Sequence, residues 1–100
     1  MSRRKTVAQW RREDPTYAAM INDVARLRNA WPSTHSVAHR DENTGAVTFH
    51  LHVMPGDLDR LLDLLGDAPV NRMQDMSVTT YHFHGRRPDM DRLLKKMVGR

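Results

Sequence analysis

The sequence predicts an α+β fold: a three-stranded sheet, made of a β-hairpin plus one crossover strand, covered on one face by helices in the order α-β-β-α-β-α. Three observations carry this. Apolar residues recur at helical spacing in some stretches and alternate strictly in another, so the hydrophobic period switches between 3.6 and 2 along the chain. The pairs Asp14-Pro15 and Pro88-Asp89 each open a helical stretch, with Asp14 suited to cap a helix and Pro to fill its first turn. Between the first two β-like stretches lies Asp41-Glu42-Asn43-Thr44-Gly45, residues that favour turns and tolerate positive φ.

Taken in order, residues 5–12 place Val7 and Trp10 three apart, too few apolar positions to anchor a helix firmly, and residues 1–13 read as a basic arm. The remainder, 14–100, reads as one α+β domain. Its first helix starts at Asp14-Pro15, carries Tyr17, Met20, Ile21, Val24 and Leu27 on one stripe, and stops at Trp31-Pro32 because Pro disfavours helix before it. Thr34 to Arg40 and Ala46 to Met54 form the hairpin. In its second strand Val47, Phe49, Leu51 and Val53 share one face, and Thr48, His50, His52 and Met54 the other. Pro55-Gly56-Asp57 breaks the strand and opens a helix with Leu58, Leu61, Leu62 and Leu65 on one stripe, ended by Gly66. A loop through Ala68, Pro69 and Asn71 leads to a third strand, Met76 to His84, closed by Gly85. The last helix buries Met90, Leu93, Leu94, Met97 and Val98, with Asp89 and Asp91 in its first turn and Lys95 and Lys96 in its last. A right-handed crossover through the Leu helix would set the third strand parallel to the second.

One hundred residues, 39% of them hydrophobic and 28% charged, suit one compact core. The chain has no cysteine, which excludes disulfides, thiolate metal ligands and thiol nucleophiles. No apolar run approaches the roughly 18–20 residues that cross a bilayer, so the expectation is a cytoplasmic protein, complete as it stands, with no membrane partner. Sixteen basic residues, thirteen of them Arg, outweigh twelve acids and give a net charge of +4. Guanidinium forks suit phosphate, and a basic balance points to a polyanionic partner. The basic residues gather at the start of the chain, where Arg3, Arg4, Lys5, Arg11 and Arg12 surround Trp10, and again at Arg86 and Arg87 after the third strand. These eight are the candidate nucleic-acid contacts.

All six histidines fall in the predicted strands, as the pairs His35 and His39, His50 and His52, His82 and His84. Every spacing is even, so each pair shares a face of the sheet. With Phe49, Leu51, Tyr81 and Phe83 turned to the helices, and Ser36 and Ala38 as small core residues of the first strand, all six would line the uncovered face. Positions i and i+2 of a strand stand about 6.5–7 Å apart and paired neighbours about 5 Å, close enough for imidazoles to converge on one ion. The metal-ligand candidates are His50, His52, His82 and His84, for a divalent Zn, Ni, Cu, Fe or Mn. Two other readings stand beside this one: a polar open face without a ligand, and a homodimer or pH-sensitive surface. Whether the third strand lies next to the second or beyond the first decides which histidines meet.

His50-Leu51-His52 resembles the His-hydrophobic-His motif of the HUH nucleases, which nick single-stranded DNA, and His82-Phe83-His84 fits the same pattern. The resemblance implies a metal held by the His pair on an antiparallel sheet and a helix-borne tyrosine nucleophile, for which Tyr17 is the helical candidate. Residues 7–19, with Trp10-Arg11, Asp14-Pro15, Tyr17 and then Ala18-Ala19, look like the segment after the recognition helix in phage small terminase subunits. That resemblance implies a phage or mobile-element origin. There is no Gly-rich phosphate loop, no Ser nucleophile elbow and no His-Glu-x-x-His, and Asp57, Asp59 and Asp63 fall on the outer face of the Leu helix. The expected function is that of a small basic, non-enzymatic binding protein, phage or mobile-element encoded, that holds nucleic acid with its Arg-rich arm. The alternatives are a His-ligated metalloprotein, of which a metal-dependent, HUH-like phosphodiester-cleaving enzyme is one form, and an inhibitor of a host factor or defence complex.

Overall fold

In a computed structural model of the chain, residues 5–66, 73–75 and 81–99 are described, the stretch 73–75 by its backbone alone. The first helix, α1 (Val7–Glu13), buries no residue. It is closed instead by a capping box: Gln9 N–H donates to Thr6 Oγ1 at 3.1 Å and Thr6 N–H to Gln9 Oε1 at 2.7 Å. Asp14 then joins two helices. Its backbone N–H donates to the Trp10 carbonyl at 2.6 Å to end α1, and its carboxylate accepts from Tyr17 N–H at 3.2 Å to start α2 (Pro15–Ala30). α2 buries Ala18, Met20, Val24 and Leu27, and ends where Trp31 N–H reaches the Leu27 carbonyl.

Strands β1 (His35–Arg40) and β2 (Val47–Val53) form the expected antiparallel hairpin, its turn held by the Asp41 carboxylate, which accepts from Asn43 and Thr44 N–H. A single 3-10 turn (Pro55–Asp57) leads into α3 (Leu58–Leu65), which buries Leu61 and Leu65. Two further strands follow, β3 (Met73–Asp75) and β4 (Tyr81–Gly85), and then α4 (Arg87–Val98). The sheet order is β1-β2-β4-β3, and each neighbouring pair is antiparallel.

The α+β architecture and its helical cover on one face are thus as expected, but the direction of the last long strand is not. β4 runs antiparallel to β2, because the crossover through α3 delivers the chain to β3 at the outer position, and β4 returns between β3 and β2. It is therefore β3 that runs in the direction of β2. The expected loop through Ala68, Pro69 and Asn71 and the expected strand residues 76–80 lie outside the described residues.

The helices bury one face of the sheet. Phe49, Leu51, Val53 and Phe83 meet Met20, Val24, Leu27, Trp31, Leu61, Leu65, Met90, Leu93 and Leu94 in one core. α4 also closes the free end of α3, where Arg92 and Lys96 donate to the Leu65 and Leu64 carbonyls at 3.3 and 3.1 Å. No helix among the described residues is long and apolar enough to cross a membrane.

Phe49 stands opposite Gly85 in the β2–β4 register, and a Cβ on Gly85 would collide with the Phe49 ring. The strand-end glycine is therefore a packing requirement. Gly85→Ala should lower stability by about 1–3 kcal/mol through overpacking, seen as a lower urea midpoint at unchanged slope. The double change Gly85→Ala with Phe49→Leu should recover part of the loss; equal stability of Gly85→Ala and the unaltered chain would contradict this packing.

Candidate metal centre

Alternation in the strands sorts side chains between two environments. Because Phe49, Leu51 and Phe83 face the helices, His50, His52, His82 and His84 emerge on the other side, and because Ser36 is buried, His35 and His39 join them. On β1, β2 and β4 this open face carries His, Val37 and Thr48 and no charged side chain.

Since β4 pairs directly with β2, His50 stands opposite His84 and His52 opposite His82. His50, His82 and His84 form a nearly equilateral triangle, with ring centres 4.7 Å (His50 to His82), 4.7 Å (His50 to His84) and 4.3 Å (His82 to His84) apart. One ligand nitrogen from each can be chosen so that all lie within 4.8 Å of one another. Imidazoles bound to one tetrahedral ion at bonds of about 2.0–2.1 Å hold their ring centres about 5 Å apart, so rings at this spacing could hold one ion after turning to bring their nitrogens together. His82 Nε2 is buried and has no hydrogen-bond partner among the described residues. A buried ring nitrogen left without a proton donor or acceptor is costly, and a metal ion would satisfy it.

The electrostatics suit the same use. Burial, and then repulsion from His82, His84, His39 and His52, holds the His50 imidazolium off until about pH 4. Burial, followed by His84 and His52, also lowers the His82 pKa from the ordinary value. Both rings are neutral near pH 7, the form that binds metal.

The chain matches no protein-family model, no curated protein and no solved structure. The chemistry of the face rests on its own geometry.

Of the four histidines expected as ligands, three converge. His52 instead stacks on His82, with ring centres 4.7 Å apart and planes at 20°, and neighbours His35 across the hairpin. Tyr17, the nucleophile implied by the HUH resemblance, stands in the helical layer with its ring edge-on to Trp10 at 4.8 Å, so the structure does not bring it to the histidines.

The expected nucleic-acid contacts separate into engaged and free groups. Trp10 packs on Tyr17 and has Lys5 Nζ and the Arg40 guanidinium over its ring at 4.7 and 5.2 Å. Lys5 also pairs with Glu13 at 2.7 Å. Arg87 donates to both Asp23 and Asp91 and ties α4 to α2; although burial works against its charge, the two carboxylates raise its pKa overall. Arg11 and Arg12 are exposed on the last turn of α1, with no acidic partner among the described residues. Arg86 is also exposed, and its backbone N–H donates to Asp89 at the start of α4. Arg3 and Arg4 lie outside the described residues.

The lowered pKa values set a sign for stability against pH. As pH falls below the ordinary histidine value of 6.5, the unfolded chain takes up protons that folded His50 and His82 refuse, so folding stability declines from there down to about pH 4. In the presence of a chelator, the melting temperature should drop across that window. His50→Gln should flatten the decline, and parallel pH profiles for the two proteins would show that His50 is not its source.

Proposed function

We propose that the protein binds a divalent transition metal through His50, His82 and His84 on the open face of its sheet. The observation that carries this reading is the three-ring triangle, supported by a buried His82 Nε2 that has no hydrogen-bond partner among the described residues. An all-imidazole donor set selects Zn, Ni, Cu or Fe over Mg, Ca or Mn, which prefer oxygen. Three protein ligands would leave a fourth position for water or an exogenous ligand, as in open zinc sites.

Untagged protein should bind one equivalent of Zn(II) or Ni(II) tightly at pH 7.5. His82→Ala and His84→Ala should each weaken that equivalent more than about a hundredfold, since a direct ligand matters at least as much as the outer partners of a ligand. Metal at a hundredfold excess over Kd should stabilise the fold by about 2.7 kcal/mol. A chain that binds neither ion, with melting temperature unchanged by either, would sink the reading.

A second reading, binding to the phosphates of nucleic acid, is favoured by Arg11 and Arg12 on α1, which are exposed and have no acidic partner among the described residues, with the exposed Arg86 as a further contact. Anisotropy titration of a labelled duplex should then give a logarithmic salt slope of about −0.9 per phosphate neutralised, that is about −2 to −3 for two or three contacts. Arg11→Ala and Arg12→Ala should each reduce it by about one. Salt-independent binding, or none, would rule it out.

A further inference from the structure

The triad uses only half of the histidines on the face. The other three, His35, His52 and His39, are not scattered around it. Successive ring centres run from His35 to His52 at 5.7 Å, on to His82 at 4.7 Å, His84 at 4.3 Å, back to His50 at 4.7 Å and out to His39 at 5.0 Å. The triad is the middle of an unbroken file of six imidazoles.

We propose that His35 and His52 form a second, weaker metal site beside the triad, so that the face holds two ions. This rests on the reading of the triad as the first site. Three features single out this pair. His35 and His52 are direct partners in the β1–β2 register, so both rings leave the sheet at neighbouring points. Their centres, 5.7 Å apart with planes tilted by 57°, lie near the spacing of about 5 Å that two imidazoles adopt on one ion. Neither belongs to the triad, so the pair can bind without dismantling it. His39 lacks that independence, because it faces Thr48 in the register and its nearest ring is His50.

Two protein nitrogens leave several coordination positions to water, and His35 is exposed, so the site is open to solvent. An N,O donor set of this kind suits Cu(II) and Ni(II), which accept tetragonal geometries with bound water. With one imidazole fewer, the second ion should be held about tenfold or more weakly than the first. The stacked rings of His52 and His82 put the two sites side by side, each contributing one member of the stack.

The test is calorimetric titration of the whole, untagged chain with Ni(II) at pH 7.5, with histidine ring resonances followed by NMR at each step. The expected result is two equivalents, the first shifting the His50, His82 and His84 rings and the second those of His35 and His52. His35→Gln should remove the second equivalent and change the affinity of the first by less than about twofold, because its ring neighbour is His52 and not a member of the triad. His39→Gln should leave both. One equivalent on the triad, with His35→Gln indistinguishable from the unaltered chain, would overturn the second site while leaving the first intact. Absence of any tight equivalent would overturn both.

Discussion

The pairing of β2 with β4 is fixed from the side that has no histidines. Phe49, Leu51, Val53 and Phe83 are completely buried, and in a strand their positions dictate that every intervening residue faces the other way. A slip of one residue would drive imidazoles under the helices and phenylalanines into water, at a cost of about 1.5–3 kcal/mol for each large apolar side chain exposed. The same burial that selects the fold therefore sets His50 against His84 and His52 against His82. Gly85 completes the arrangement, because only a residue without a side chain leaves room for the Phe49 ring across the β2–β4 pair.

What could be read from the sequence follows the range of each interaction. Caps and periods are local, so the junction at Asp14-Pro15, the stop at Trp31-Pro32, the alternation of β2 and the common face of the histidines are all visible in the residues themselves. β3 is not. Met73-Gln74-Asp75 has neither alternation nor β-branched residues, and its place comes from pairing with β4. Because it occupies the outer position, it also reverses the direction of β4, which a crossover rule applied to one long strand misassigns.

The site is legible in the sequence as a face but not as a triad. Even spacing shows which histidines share a side, whereas membership of the cluster needs the neighbour of β2 and the register, both products of packing far along the chain. The basic residues show the same limit. Composition marks Arg87 as one of a free pair with Arg86, yet Asp23, on α2, and Asp91 hold it; Trp10 in the supposed arm is occupied by Tyr17 and two cations. Long-range partners turn some of these charges and rings into structural fastenings.

Asp14 concentrates several of those fastenings in one carboxylate and its own backbone. It ends α1, starts α2 and accepts from Arg40 Nε of β1 at 2.7 Å; this last bond, with that from Tyr17 N–H, holds its carboxyl below the usual range. α1 buries no side chain of its own, so its angle to the rest of the molecule is governed at this joint and by Trp10, which packs on Tyr17 of α2 and lies under the Arg40 guanidinium. The exposed guanidinium groups of Arg11 and Arg12 thus ride on a short lever whose pivot is ionic, and its stiffness should soften as counter-ions compete for Asp14 and Arg40.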